Sequence, residues 1–316
     1  HLFNNKQFST VIEQIQAIIN QYPRAFILWN ILGVSAYQTH MLDKAIKAYK
    51  KALSINPNFS QAYNNMGVAL KDLGRIDEAI KIFNKAILIK PDYVEAYNNL
   101  GNAYKDQYKP EDAIKAYKKA ISLKPDYAEA YNNMGNSFND LGRCEEAIEF
   151  INKSILLKPN YFSAFNNLGV VLATQGKLDE AIDAFKNALL INPNDADAYN
   201  NIGNVLKDQG KLQDAIGAFK NAILINPDDS HAYNNIGKVL VDQGKFQEAV
   251  DQFKNAILTN QDYAEAYNNK GIALRYQSKF QESINAFKKA LLLKPQYAEA
   301  YNNLGNVLND QGKLDK

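Results

Sequence analysis

Residues 96–101 read AYNNLG, and this block decides the fold because it returns every 34 residues. In the form AYNN-(L/M/I)-G it begins at Ala62, Ala96, Ala130, Ala198, Ala232, Ala266 and Ala300, with Lys270 in place of the aliphatic residue in one copy. Variants stand in the same register at Leu28-Trp29 and Ala164-Phe165. A fixed period of this length is typical of a solenoid, in which each unit buries its apolar face by stacking on its neighbours. The sequence therefore predicts a surface shared by many repeats, and we expect function to lie on that surface.

The full period resembles the tetratricopeptide repeat (TPR), whose pattern is W-x2-L-G-x2-Y, then A-x3-F, then P. Trp29, Leu32 and Gly33 match its opening. Its second half is matched by Ala79, Phe83, Ala86 and Pro91. The resemblance covers the whole chain and implies an all-α fold, a right-handed solenoid of antiparallel helix pairs.

One continuous domain over residues 1–316 is expected, because a solenoid grows along one axis and need not divide. Each repeat is counted from the residue three before its aromatic, and positions within it are numbered 1 to 34. The full repeats are 26–59, 60–93, 94–127, 128–161, 162–195, 196–229, 230–263 and 264–297, with partial repeats at 1–25 and 298–316. In 94–127 the apolar stripes predict helices over about 95–107 and 110–123.

Glycine and proline mark the same register. Of 16 glycines, nine stand at position 8 and six at position 15. We expect the first set to permit close helix approach and the second to supply positive φ between the helices. Pro110, which lies outside the usual place at the end of a repeat, suits the first turn of a helix.

Composition narrows the function classes. The net charge of +2 gives no global argument for nucleic acid or membrane binding, and 46% hydrophobic residues oppose disorder. No apolar run approaches the ~18 residues that a membrane span needs. The single cysteine, Cys144, fits a reducing compartment, which predicts a cytoplasmic protein, and its repeat position predicts a buried packing thiol.

The usual signatures of catalysis are missing from the sequence. His1, His40 and His231 are scattered, and one cysteine leaves no Cys/His metal cluster. No glycine-rich phosphate loop occurs, and the carboxylates recur with the repeat. We therefore expect this segment to be non-catalytic, with no metal and no cofactor.

Asparagine recurs on the polar face of the first helix, which positions 2, 5, 6, 9, 12 and 13 share. Position 5 is Asn in all nine repeats, and position 6 is Asn65, Asn99, Asn133, Asn167, Asn201, Asn235, Asn269 and Asn303. An amide both donates and accepts, and neighbouring helices ~8–10 Å apart would place one Asn every two to three residues of an extended peptide. Two alternatives stay open: one Asn of each pair bonds to the adjacent repeat or to water, or duplication of one unit copied it.

Acidic residues give this face a sign. The predicted peptide contacts include Asn102, Asn136 and Asn204 at position 9, and Asp72, Asp106, Asp140, Asp208, Asp242 and Asp310 at position 13. Positions 2 and 13 together carry eleven acidic side chains, and positions 9 and 12 carry five basic ones. A negative face favours a polar to basic protein segment or extended peptide and opposes nucleic acid. Pairing of these charges within the helices is the alternative.

The Asn at position 6 is similar to that of the superhelical arm of O-linked N-acetylglucosamine transferases. That resemblance implies a concave groove that clasps extended segments through Asn side chains. Three hypotheses follow: a non-catalytic scaffold that binds an extended polypeptide, the substrate-recognition arm of a larger glycosyltransferase, or a structural subunit packed by its convex face or its ends. The basic clamp of chaperone-adaptor TPR domains is absent, since position 5 is Asn throughout.

Departures from the repeat cluster near the C-terminal end. Gln261 replaces the proline that ends a repeat, and Lys270 replaces a packed aliphatic residue. Ser278 and Ser283 replace the turn glycine and a small alanine. Because solenoid stability is a sum of repeat and interface terms, we expect repeat 264–297 to be locally weaker, either through simple drift or as a hinge or partner-specific site.

Overall fold

The computed structural model describes residues 8–312, and within them the chain is all helical, with no strand. The helices are α1 (Phe8–Gln21), α2 (Phe26–Gln38), α3 (Leu42–Ile55), α4 (Ser60–Asp72), α5 (Ile76–Ile89), α6 (Val94–Asp106), α7 (Pro110–Leu123), α8 (Ala128–Asp140), α9 (Cys144–Leu157), α10 (Phe162–Thr174), α11 (Leu178–Ile191), α12 (Ala196–Asp208), α13 (Leu212–Ile225), α14 (Ser230–Asp242), α15 (Phe246–Thr259), α16 (Ala264–Tyr276), α17 (Phe280–Leu293) and α18 (Ala298–Asp310). The predicted all-α fold is confirmed. The ends of the two partial repeats, residues 1–7 and 313–316, lie outside the described residues, as does His1.

Each repeat is one helix pair, as the sequence predicts. In repeat 94–127 the helices α6 and α7 fall within one residue of the expected bounds. Pro110 begins α7, where its missing N–H costs no intrahelical bond, and Glu111 and Asp112 in the same turn complement the helix dipole. Of the apolar stripe of α6, Ala96, Leu100 and Ala103 are buried and Tyr104 is half-buried.

Glycine at position 8 brings the paired helices together. A Cβ added to Gly203 would lie 2.5 Å from a ring carbon of Phe219, which is fully buried at position 24. At position 15 the backbone takes positive φ, for instance 78° at Gly74. The same conformation occurs without glycine at His40, Tyr108 and Ser278, so the turn geometry is imposed by the packed helices even where the residue disfavours it.

The helices form two compact units, α1–α9 up to Pro159 and α10–α18 from Asn160. In each unit the core is a row of alanines and aromatic rings between paired helices. The side chain of Cys144 is buried, as predicted, at the start of α9.

The C-terminal departures differ in how well the fold accommodates them. Ser283 is fully buried, and its hydroxyl donates a 2.7 Å hydrogen bond to the carbonyl of Gly271 on the facing helix. Ser278 holds positive φ at 58°. Lys270 is half-buried, and burial, with a smaller effect of Lys254, lowers the pKa of its ammonium. The fold therefore satisfies the hydroxyl of Ser283. Lys270 still carries the cost of a half-buried ammonium, and Ser278 that of positive φ.

Candidate functional site

The candidate site is the polar side of the first helices, α2, α4, α6, α8 and so on to α18. We call positions 2, 5, 6, 9, 12 and 13 of these helices the Asn face. All eight position-6 asparagines are half-buried, as are Asn102, Asn136 and Asn204 at position 9. Position 5 is deeper, with Asn64, Asn98, Asn132, Asn234 and Asn268 all buried. The face thus presents position 6 above a floor formed by position 5.

Most asparagines at positions 5 and 6 pair across repeats. The Nδ2 of Asn99 donates to the Oδ1 of Asn64 at 2.9 Å, joining α6 to α4. The same bond, from position 6 to position 5 of the preceding repeat, links Asn65 to Asn30, Asn133 to Asn98, Asn269 to Asn234 and Asn303 to Asn268, at 3.0–3.5 Å. These five are the closed pairs. In these pairs Asn bonds to the adjacent repeat, which is one of the two alternatives to peptide contact left open by the sequence. Each bond uses only one N–H of the position-6 amide.

Two pairs in the unit from Asn160 lack that bond. Asn166 donates instead to the carboxylate of Asp195 at 2.5 Å, and Asn200 donates to Asp229 at 2.6 Å. Their Oδ1 atoms are buried without a hydrogen-bond partner among the described residues. The partners they would have, Asn201 and Asn235, lie at position 6 of the next repeats. We call Asn166–Asn201 and Asn200–Asn235 the open pairs.

An aspartate before the helix explains the open pairs. Asp195 and Asp229 stand at position 34, where the closed pairs have an aromatic residue: Phe59, Tyr93, Tyr127, Tyr263 or Tyr297. Asp195 caps α12 by accepting the amides of Asp197 and Ala198, and Asp229 accepts that of Ala232. The second carboxylate oxygen of each takes the preceding Asn amide, which turns that amide away from position 6.

A cavity of about 760 Å³ lies over the open pairs, within the unit from Asn160. It is lined from three helices and the turns before them by Phe162, Ser163, Asn166, Asn167, Val170, Asp195, Asp197, Asn200, Asn201, Asn204, Asn226, Asp228, Asp229, Ser230, His231 and Asn235. Sequence reasoning selected Asn167, Asn201, Asn204 and Asn235 but missed Asp195 and Asp229. Their signal was present: the turns read NPND at 192–195 and NPDD at 226–229, against KPDY at 90–93 and 124–127.

The position-13 aspartates are exposed, and five of the six are paired. Lys71 Nζ lies 3.5 Å from Asp106, and Lys105 Nζ lies 3.8 Å from Asp140. The remaining partners are Lys71 and Tyr37 for Asp72, Lys207 for Asp208 and Arg275 for Asp310. Asp242 has no ion pair among the described residues. Because exposed pairs contribute only ~0–1 kcal/mol, these charges set a field more than they fix the fold.

Two tyrosines on or beside this face are held protonated. Burial, followed by the hydrogen bond to Asp72, raises the pKa of Tyr37 to about 12. Burial also raises the pKa of Tyr117, whose hydroxyl donates to the Oδ1 of Asn102 at 2.7 Å. Asn102 is thereby committed to its own repeat, unlike Asn204, which lines the cavity.

Between residues 8 and 312, no group of three or more His, Cys, Asp or Glu side chains could hold a metal ion. Over the same stretch, each helix is too short or too polar to cross a membrane.

Comparison with known sequence families gives two matches. The family described as the cilia and flagella-associated protein 70 C-terminal domain, a TPR domain, matches residues 58–271. The TPR repeat family matches residues 37–74 and 271–312. Together these matches extend along most of the chain.

The curated relatives match only a short segment of this chain, and the solved structure that matches most of it has low sequence identity. The peroxisomal targeting signal receptors of Candida glabrata and Candida albicans are 33% and 35% identical over 60 residues, 19% of this chain and 10% of each receptor. The chain thus matches about a tenth of the length of these relatives. The crystal structure of the APC/C hetero-tetramer Cut9–Hcn1 superposes on 94% of this chain and 58% of the other, with a TM-score of 0.63 and 18% identity. At that identity the likeness shows the fold alone.

The fold is therefore a TPR solenoid, and the repeat matches support a protein-interaction scaffold. Solenoids of this kind are typically non-catalytic, because each repeat contributes surface to a shared binding face.

Proposed function

Since this chain belongs to the TPR family of the cilia and flagella-associated protein 70 C-terminal domain, we propose that it is a scaffold that binds an extended polypeptide along its Asn face. The proposal includes the continuous superhelix over residues 1–316 and a concave groove lined by position 6. Its partner is a protein segment of polar to basic character.

The observation that carries the proposal is the state of the position-6 amides. In the closed pairs Asn65, Asn99 and Asn133 each use one N–H on the preceding repeat. No donor reaches their Oδ1 atoms from within residues 8–312, so each retains an acceptor for a peptide N–H. The cross-repeat bond also fixes the side-chain rotamer before binding, which lowers the entropic cost of capturing a peptide.

Charge on the same face favours the chemistry of the partner. Eleven acidic against five basic side chains leave the Asn face net negative, although most position-13 aspartates are paired. A negative groove raises the local concentration of basic segments and repels phosphate backbones.

The same arrangement also suits the substrate-recognition arm of a larger O-GlcNAc-transferase-like glycosyltransferase. Five Asn–Asn bonds in one register form the kind of regular amide row that a sequence-tolerant arm requires. A glycosyltransferase domain in the same polypeptide, whose activity on protein substrates falls when the Asn row is removed, would decide for this role.

A structural subunit is the third candidate, and a row of exposed leucines on the second helices favours it. Leu190, Leu224, Leu258 and Leu292 recur every 34 residues and are 73–82% exposed. Changing these four to Gln would abolish assembly into a larger complex if this row were the main contact. It would leave peptide binding unchanged if the Asn face were.

The proposal is tested with peptides selected from a displayed random library on the parent chain. Replacing Asn133, Asn167, Asn201 and Asn235 together by Ala removes four contacts of ~0.5–1.5 kcal/mol each. We expect the dissociation constant, measured by fluorescence anisotropy, to rise ~30-fold or more. Helicity measured by circular dichroism should stay unchanged.

A matched control removes four exposed asparagines from the second helices: Asn84, Asn152, Asn187 and Asn221. This variant should bind like the parent. If the first variant also binds like the parent, the Asn face is not the site and the leucine row becomes the better candidate.

A further inference from the structure

We propose that the cavity over the open pairs is a pocket for basic side chains, Arg or Lys, of the bound polypeptide. This inference rests on the proposed function and assigns ligand selection to one part of the Asn face. It would make repeats 162–195 and 196–229 the segment of the Asn face that selects its ligand by charge.

The pocket exists because two aromatic rings are missing. In the closed region Tyr263 covers the start of α14, where its hydroxyl lies 2.9 Å from the Nδ1 of His231. Asp195 and Asp229 occupy the equivalent positions in the two preceding repeats. The shorter side chains leave the space over α10 and α12 unfilled, and the cavity of about 760 Å³ occupies it.

The same two turns also lose a cation. In KPDY turns the lysine lies over the tyrosine ring, with Lys90 5.0 Å from the centre of Tyr93 and Lys124 5.2 Å from that of Tyr127. Asn192 and Asn226 replace these lysines beside the cavity. Each turn therefore changes from a balanced charge to a negative one.

The cavity is lined by four aspartates that have no basic partner among the described residues. Asp195 and Asp229 are buried, with 8% and 9% of the residue surface exposed, and Asp197 and Asp228 stand exposed at the rim. None of the four has an ion-pair partner among the described residues. Buried carboxylates held only by neutral donors are costly, so a cation that enters the cavity gains more than it would on an exposed surface.

Amide groups complete the recognition of a peptide. The Oδ1 atoms of Asn166 and Asn200 are buried without a donor. The side chains of Asn201 and Asn235 therefore lack the bond that position 6 of the closed pairs donates to the preceding repeat. A bound segment would therefore meet amides with both donor and acceptor capacity beside the carboxylates. A guanidinium fits this set well, because it offers five N–H donors in a planar array.

The experiment uses the whole chain and two octapeptides of Gly and Ser. One carries two arginines three positions apart, since three residues of extended chain span roughly the 8–10 Å between neighbouring helices. The other carries citrulline at both positions, which keeps the shape and the urea donors but removes the charge. We expect the arginine peptide to bind about tenfold more tightly or better, with a preference that falls as salt rises.

Variants locate that preference. Asp195→Asn with Asp229→Asn keeps acceptors for the helix amides but removes both buried charges, so the preference for arginine should vanish. Asp197→Asn with Asp228→Asn alters only the exposed rim and should reduce the preference partly, while leaving the buried carboxylates in place. Asp183→Asn with Asp214→Asn makes the same charge change on exposed second-helix positions and should keep the full preference.

The outcomes separate the pocket from the groove. Equal affinity of the two peptides for the parent chain overturns the pocket and leaves groove binding intact. The same holds if the arginine preference survives in both cavity variants. Failure of both octapeptides, while library-selected peptides bind the Asn face, also overturns the pocket alone. Failure of every peptide overturns the proposed function with it.

Discussion

The closed and open Asn pairs occupy the same repeat positions, in AYNN blocks or in the variants LWNI at 28–31 and AFNN at 164–167, but differ in their hydrogen bonds. Asn99 donates to Asn64 across the repeat interface, whereas Asn201 makes no bond to Asn166. The residue that separates the two cases is aromatic at Tyr93 and acidic at Asp195. Tyrosine cannot accept the first-turn amides of the next helix, but aspartate can, and its second oxygen then captures the preceding Asn. One residue at the end of a repeat thus decides whether the two asparagines of a pair are hydrogen-bonded to each other across the repeat interface.

Tyr263→Asp should convert a closed pair into an open one. We expect Asn234 to donate to the new carboxylate, which leaves Asn269 without its partner. The lost aromatic packing, partly offset by a new helix cap of ~1 kcal/mol, should lower the free energy of unfolding by about 2 kcal/mol in urea titration. The reverse change, Asp229→Tyr, should close the Asn200–Asn235 pair. A crystal structure in which Asn269 still donates to Asn234 in the first variant would refute this cause.

Asn99→Ala and Asn201→Ala compare the two kinds of pair directly. The first leaves the buried Oδ1 of Asn64 without a donor and should cost about 1–3 kcal/mol of unfolding free energy. The second removes no described bond and should change stability by ~0.5 kcal/mol or less. Both remove Asn from the same repeat position, so the gain in helix propensity cancels in the difference. Equal losses in urea denaturation would show that the open pair closes in solution.

Lys270→Leu sharpens the comparison by testing whether the half-buried ammonium of Lys270 weakens repeat 264–297. Position 7 is Leu, Met or Ile in every other repeat, and full packing of such a side chain gives ~1.5–3 kcal/mol. For a half-buried site we expect a gain of about 1–2 kcal/mol in unfolding free energy. Lys288→Leu, at an exposed position of α17, is the matched control and should stay within ~0.5 kcal/mol of the parent.

The pH dependence of that gain follows from the lowered pKa of Lys270. The unfolded chain keeps its proton up to about the ordinary value of 10.5, whereas the folded chain releases it earlier. Stability of the parent relative to the variant therefore rises with pH between the folded and unfolded pKa values. The advantage of Lys270→Leu should be complete below the folded pKa and should shrink as the pH approaches 10.5. An advantage that does not change over this range would mean that the lysine is not buried in solution.

Amide hydrogen exchange compares the repeat that holds the C-terminal departures with a repeat that holds an open pair. Of the effects predicted here, this difference should be the smallest. We expect faster exchange across 264–297 than across 196–229, because Lys270 and the positive φ of Ser278 are uncompensated. Ser283 should not contribute, since its hydroxyl is satisfied by Gly271. Equal protection in the two repeats would show that the open pairs cost as much as the two departures together.

Much of this molecule could be read from the sequence because its determinants are local or periodic. The bounds of α6 and α7, the place of Pro110 and the buried Cys144 all follow from a 34-residue pattern that each repeat satisfies on its own. The close approach at Gly203 was also predictable, since glycine within a helix stabilises the fold only where a neighbour, here Phe219, needs the room.

The candidate site was predictable only in part. The sequence selected the position-6 asparagines as contacts, and that assignment stays a prediction. It could not tell which amides are engaged across repeats, because each closed and each open pair joins Asn at position 5 to Asn at position 6. The tertiary structure decided this by bringing Asp195 to Asn166, 29 residues away at the other end of the same repeat, and Asp229 to Asn200 in the next repeat. A side-chain amide takes the best acceptor within its reach, and that reach is set by the packing of helices against each other.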